Sequence, residues 1–272
     1  MKNAVICFLK YPEPGHVKTR LAEDLGETLA ADLYRDLAER VITEVYPLNA
    51  DYDVLLSVDG AHELALYKEW IGENWPYRIQ SEGNLGARMH HAVTTAFDEG
   101  YERVLLLGSD CIGMDEAFIS EAFKSLDQHD FVIGPSTDGG YYLLALKQDH
   151  PWLFEHIAWS TEEVLDVTIE RIEMRELKLH QLSEKIDIDT IDDLLKFRQE
   201  LPPEHFLARK IDQLVISQVQ TEVDGRELKA GDYRTLNLKD VVVEMDDEQE
   251  EDDDVEDFTM MPPPETNEPK GS

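Results

Sequence analysis

Residues 103–111 read RVLLLGSDC, an apolar run that ends on glycine, serine and aspartate. A strand with no polar alternation has to be covered on both faces, the usual state of strands in parallel sheets packed between helices. Comparable runs are NAVICFL (3–9), YDVLLSV (52–58), FVIGP (131–135) and YYLLAL (141–146), with the first run counted over 103–109. Helical stretches separate them. Leu29, Leu33, Leu37, Val41 and Val45 recur at every fourth position, and a further helix is expected to start after Asn84 and stop at Gly100, a good C′ glycine. Ser160 with Glu163, and Thr190 with Asp193, suit helix N-terminal capping. The alternation predicts an α/β fold with a mainly parallel sheet and helices on both faces. In such sheets ligands bind beyond the carboxyl ends of the strands, so the residues following each run are the candidates for chemistry.

Charge sets the domain map. The 272 residues carry 25 Lys+Arg against 59 Asp+Glu, a formal net charge of −34. So acidic a surface repels phosphate backbones and anionic lipid, which argues against nucleic-acid or membrane partners. No apolar run approaches the roughly 20 residues that span a bilayer. The N-terminal apolar stretch is broken at Lys10 and reads as a first strand, not a signal peptide. Two cysteines, Cys7 and Cys111, without metal-ligand spacing, fit a reducing, cytoplasmic setting. Residues 244–272 hold 13 acidic side chains and one lysine, with a Pro262-Pro263-Pro264 run. Burial there does not offset ordering entropy, so a disordered acidic tail is expected, with a basic protein as a conceivable partner. Residues 1–203 form the expected main domain, and 204–243 an extension. In that extension Phe206, Leu207, Ile211, Leu214 and Val215 keep a helical spacing, followed by short strands around Asp224-Gly225.

After the first run comes KYPEPGHVKTRL (10–21), a loop stiffened by two prolines around Gly15 that delivers Lys18 and Arg20. Backbone N–H groups with two cations suit a di- or triphosphate, although the spacing is not that of a P-loop and a solvated loop would look the same. Asp110 ends an apolar strand, where it could bind a hard cation or cap a helix. Gly134-Pro135-Ser136-Thr137-Asp138-Gly139-Gly140-Tyr141 is a hairpin turn or a place where a ligand approaches closely. Asp187-Ile188-Asp189, if extended, points two carboxylates to one face. Three aspartates make a Mg²⁺ or Mn²⁺ set. His90 and His91 suggest no third ligand. Trp152 and Trp159 could stack a sugar or pack beneath a loop, and Trp70 and Trp75 frame a helix end.

Six motifs in order, KYPEPGHVKTRL (10–21), GNLGARM (83–89), LLLGSDC (105–111), GPSTDGGYYLL (134–144), WST (159–161) and DIDTIDDL (187–194), resemble the bacterial GT-A-fold nucleotide-diphospho-sugar transferases, often labelled glycosyltransferases. KTRL and DIDT are more distantly similar to their counterparts in 2-phospho-lactate guanylyltransferases and molybdenum-cofactor nucleotidyltransferases. The resemblance covers about residues 1–200 and implies a Rossmann-like nucleotide-binding domain with a divalent metal. It implies Asp110, Asp187 and Asp189 as metal ligands and Lys18 and Arg20, with Gly15, at the phosphates. Gly83, Asn84 and Gly86 would flank base or ribose, and Asp138, Gly139 and Gly140 the acceptor side. The expected reaction is glycosyl transfer from a nucleotide-diphospho-sugar to a small acceptor. The alternative is nucleotidyl transfer from a nucleoside triphosphate, to which a cationic loop is suited; a non-catalytic binding protein is a third. No general base is identifiable.

Overall fold

The strands are β1 (Asn3–Leu9), β2 (Tyr52–Val58), β3 (Tyr77–Ile79), β4 (Arg103–Leu107), β5 (Phe131–Pro135), β6 (Tyr141–Leu146) and β7 (Leu179–Gln181). They form one sheet in the order β3-β2-β1-β4-β6-β5-β7. Only β6 is antiparallel to its neighbours β4 and β5; every other pairing is parallel. The computed structural model describes residues 2–48 and 51–223, with residues 215–223 by backbone alone.

The helices are α1 (Thr19–Leu25), α2 (Glu27–Glu44), α3 (Leu64–Ile71), α4 (Leu85–Asp98), α5 (Glu116–Ser125), α6 (Val164–Glu173), α7 (Ile191–Glu200) and α8 (Phe206–Val223). Successive strand residues face opposite ways, which splits β1 between two cores. Val5, Cys7 and Leu9 pack with Tyr34, Ala38 and Val41 of α2 on one face. Ala4 and Ile6 pack with Met89 and Val93 of α4 and with Ile172 of α6 on the other. Each fully buried aliphatic side chain contributes on the order of 1.5–3 kcal/mol.

The helix punctuation mostly follows the local signals. Asn84 caps α4 through its side chain, which accepts from the Ala87 N–H, and Gly100 ends it at φ +87. At α7 the reciprocal box forms: the Thr190 N–H donates to Asp193 Oδ2 at 3.0 Å, and the Asp193 N–H to Thr190 Oγ1 at 3.2 Å. Ser160 does not cap. It stands at φ +66, and α6 begins only at Val164 after Glu163, whose side chain makes no cap. The Leu165 N–H donates instead to Gly139 O, and Thr161 Oγ1 to Ala158 O, so residues 158–163 are spent on a turn.

The chain divides after Asp193 into two compact units. In the second, Arg198 meets Asp212 through two hydrogen bonds of 2.7 and 2.8 Å, joining α7 to α8, the helix expected after Pro202-Pro203. The short strands anticipated around Asp224-Gly225 and the acidic tail 244–272 lie outside the described residues. Among the described residues, no helix is long and apolar enough to cross a membrane.

Candidate active site

From β1 the chain crosses to β2 on one side of the sheet, and β4 lies on the other, so the strand order reverses between β1 and β4. Such a reversal opens a crevice at the carboxyl ends of the two strands. The loop after β1 turns at Glu13–His16, where the His16 N–H donates to Glu13 O, and Gly15 takes φ +80. Lys18 follows in the left-handed region at φ 45 and ψ 47, as N-cap of α1. Its side chain is 3% exposed, and Nζ lies 3.1 Å from Asp110 Oδ1, 3.3 Å from Asp187 Oδ1 and 2.9 Å from Asp189 Oδ1. The three aspartates singled out from sequence therefore do converge, and they converge on the lysine that the resemblance places at the phosphates. Arg20 is 66% exposed and touches the cluster only at 3.8 Å, Nη1 to Asp189 Oδ2.

The three carboxylates arrive from two places. Asp110 follows β4, past Gly108 and Ser109. Asp187 and Asp189 lie in the segment after β7, which runs beside the end of β5 through Thr137 N–H to Lys185 O and Lys185 N–H to Pro135 O. This segment is a tight turn, not an extended strand: the Asp189 N–H donates to Asp187 O. Ile188 between them is buried, as its apolar place in the alternation implies. Burial would lower the Lys18 pKa, but the charges of Asp110, Asp187 and Asp189 outweigh it and hold the ammonium firmly protonated. Burial also raises Asp189, yet Lys18, Arg20 and Lys10 bring it below the ordinary carboxylate range. Asp187 goes the other way: burial, against the pull of Lys18, pushes it up to about 7, helped by Asp110, Asp189 and Asp138.

That last shift has a measurable consequence. Asp187 holds its proton more tightly folded than unfolded, so its contribution to stability is full below the ordinary value of 3.8 and is lost as pH rises toward about 7. Asp187→Asn fixes the neutral form. Thermal melting from pH 4 to pH 8 should show a flatter profile for the variant, with the gap opening at the alkaline end; parallel profiles would refute this.

Among the described residues, no group of three or more His, Cys, Asp or Glu side chains is poised as it stands to hold a metal ion. The donor set nevertheless fits Mg²⁺ or Mn²⁺ in kind, since hard cations take carboxylate oxygens. Asp110 Oδ1 is buried and accepts no hydrogen bond, having only the ion pair with Lys18. What a metal lacks is room, because the ammonium stands at the focus.

Two residues not singled out from sequence support this centre. Tyr34 of α2 receives the Lys10 N–H at 2.9 Å and bonds Ser109 Oγ at 3.0 Å, tying together the loops after β1 and β4. Its only sequence signal is a hydroxyl on the apolar face marked by Leu33 and Leu37. Lys185 donates to Ile112 O and Gly113 O at 3.2 and 3.1 Å, fastening the aspartate segment to the loop after β4. Cys111 is buried and donates to Ile186 O across the same seam.

On the other flank, Asp138 Oδ1 accepts from Ser136 Oγ at 2.5 Å and from the Gly140 N–H at 3.0 Å. Gly139 takes φ +83, and a Cβ there would stand 2.1 Å from Glu162 O. At Gly86 a Cβ would stand 2.2 Å from Trp159 Nε1. The close approach at these glycines is to the protein's own 154–162 loop. Trp159, itself on that loop, packs against Gly86 at the start of α4, Trp152 lies under Arg175 at 3.9 Å, and Trp70 donates to Glu39 at 2.6 Å. His90 pairs with Asp149 and stacks on Phe154. The Asn84 side chain is spent on its helix, accepting from the Ala87 N–H at 2.9 Å.

A family model described as an uncharacterized protein conserved in bacteria (DUF2064) matches residues 42–161. No curated protein matches the chain. Among solved structures, a Desulfovibrio desulfuricans G20 protein provisionally described as a nucleotide-diphospho-sugar transferase is 33% identical, with a TM-score of 0.73, covering 79% of this chain and 97% of its own. The inositol-1-phosphate CTP transferase from T. maritima is 14% identical with a TM-score of 0.43, over 78% of this chain and 96% of its own. The manganese complex of Rv0371C from Mycobacterium tuberculosis H37Rv is 11% identical with a TM-score of 0.44, over 74% and 99%. Likeness at the level of these last two carries no chemistry across.

Proposed function

We propose that this protein, which belongs to the DUF2064 family and to the nucleotide-diphospho-sugar transferase group of its Desulfovibrio relative, moves a glycosyl group from a nucleotide-diphospho-sugar to a small acceptor. It is an enzyme of the transferase class. The observation that carries the reaction is the gathering of Asp110, Asp187, Asp189, Lys18 and Arg20 at the reversal point of the sheet, where such folds receive nucleotides. The acceptor hydroxyl oxygen attacks the anomeric carbon, the bond from that carbon to the diphosphate oxygen breaks, the nucleoside diphosphate leaves with the electron pair, and the hydroxyl proton is released to solvent. Arg20, exposed at the start of α1, would grip the diphosphate with its planar fork. The backbone of residues 83–86 would meet the nucleoside. Asp138, one oxygen fixed by Ser136 and Gly140, would orient the acceptor hydroxyl. Asp110, Asp187 and Asp189 would hold a Mg²⁺ or Mn²⁺ ion, which when bound neutralises diphosphate and leaving-group charge.

Nucleotidyl transfer is the second reading, supported by the cationic loop that carries Lys18 and Arg20; the 33% identical relative, described as a nucleotide-diphospho-sugar transferase, keeps glycosyl transfer ahead. The deciding experiment offers the full chain nucleotide sugars and nucleoside triphosphates with small acceptors. Release of nucleoside diphosphate is expected; release of pyrophosphate instead would replace this reading with the other.

Arg20 allows a finer test. A hydrogen-bonded contact to a charged group is worth about 1.5–3 kcal/mol. Arg20→Ala should weaken nucleoside diphosphate binding by that amount, and Arg20→Lys, which keeps charge but not the fork, by less. Calorimetric titration should find nucleoside binding hardly changed and the apo melting temperature unmoved. Equal losses for nucleoside and nucleotide would make Arg20 structural.

A further inference from the structure

Three carboxylates share one ammonium at the end of β4, so negative charge remains there for an incoming diphosphate to meet. Arg20, with its guanidinium 3.8 Å from Asp189, offsets only part of it. More positive charge is needed when phosphate arrives, and the oxygens that could bind it already point to one spot. That spot is filled by Lys18 Nζ, within 3.3 Å of all three. A metal bound by the same oxygens would overlap the ammonium, so the two exclude one another.

We propose that Lys18 is an internal stand-in for the divalent cation: it fills the three-aspartate site while no nucleotide is present, and it yields the site when a phosphate draws the ammonium outward. The inference rests on the reading of this crevice as the nucleotide site. The loop is suited to the exchange. Lys18 is held at φ 45, a left-handed backbone that a lysine seldom adopts, and its four-carbon stem is flexible. Arg20, two residues on and directed to solvent, marks where the phosphate would lie within reach of a withdrawn Lys18. Keeping the ammonium in place also prevents three carboxylates from facing each other without a counter-charge.

The test is Mn²⁺ titration of the full chain without nucleotide, followed by calorimetry and by the change in melting temperature. The wild type should lack a tight site, and Asp189→Asn should bind Mn²⁺ no worse than the wild type. Lys18→Met, and Lys18→Gln as a shorter, polar second variant, should gain one Mn²⁺ site at least 10-fold tighter, and Asp189→Asn in either background should remove it. The acidic residues of 244–272 are common to all these chains and cancel in the comparison. Neutral variants that bind no tighter than wild type would overturn the proposal. So would a wild type that binds at micromolar concentration with loss on Asp189→Asn, a result readable even if both lysine variants fail to fold. Turnover of a nucleotide sugar by the wild type is scored separately, so that failure of the exchange leaves the transferase reading intact.

Discussion

Lys18→Met is expected to cost about 3–5 kcal/mol of folding stability in metal-free buffer, the range for removing one partner from a buried charge cluster. The lysine side chain is 3% exposed, and removing it leaves three carboxylates facing one another, although Asp110 and Asp189, 37% and 34% exposed, keep some contact with water. Asp187, already inclined to keep its proton, relieves part of the repulsion and places the loss toward the lower end of that range. For a folded region of this size each kcal/mol moves the melting temperature by about 2–4 °C. Differential scanning fluorimetry should therefore show a fall on the order of 10 °C. A control sharpens the reading: Arg78 pairs with Glu99 at 3.1 Å, with side chains 44% and 37% exposed. Removing an exposed pair costs only about 0–1 kcal/mol. Arg78→Met should scarcely move the curve, and an Arg78→Met loss equal to that of Lys18→Met would show that burial is not what makes the cluster matter.

Gly139→Ala should be about as damaging, at roughly 3 kcal/mol, by a mechanism without charge. The added methyl would stand 2.1 Å from Glu162 O and 2.6 Å from its C and Cα, and backbone, unlike a side-chain tip, has no rotamer into which it can retreat. Overpacking of this kind costs about 1–3 kcal/mol. The left-handed φ of +83 adds about 1–2 kcal/mol for any residue with a Cβ. Chemical denaturation of the two chains measures the difference directly. The contrast is Gly26→Ala, at φ +81 with nothing within 4 Å of the added atom, where only the backbone cost applies. Equal losses at the two glycines would mean that the contact with Glu162 contributes nothing.

The long strands are legible because each is an apolar run with nowhere to be but inside: β1, β2, β5 and β6 lie where those runs begin and end. β3 and β7 are not legible. Their sequences, Tyr77-Arg78-Ile79 and Leu179-His180-Gln181, are short, polar in part and half exposed, and only pairing with β2 and β5 makes them strands. The antiparallel placement of β6 leaves no mark on its composition, though the short Ser136–Gly140 turn constrains it. At the site, Asp110 stands out as a polar residue at the end of an apolar strand, and Asp187 and Asp189 by their alternation around Ile188. The position of Lys18 does not stand out, because it depends on a left-handed backbone and on a partner segment far along the chain. Ser160 misleads for a related reason, since a tertiary hydrogen bond to Gly139 O overrides a sound local cap.

The Lys18–Asp189 contact joins residues 171 apart in sequence, and it depends on β7 having docked beside β5. During synthesis the amino-terminal strands and their helices can assemble first, because their contacts are the more local ones. The charge cluster has no such option. A ribosome must release the chain past Asp189 before Lys18 meets its last carboxylate, so until then the growing polypeptide can pair Lys18 with Asp110 alone. The three-aspartate cluster is thereby completed late, and a chain that stops before Asp187 has most of the sheet but not the cluster.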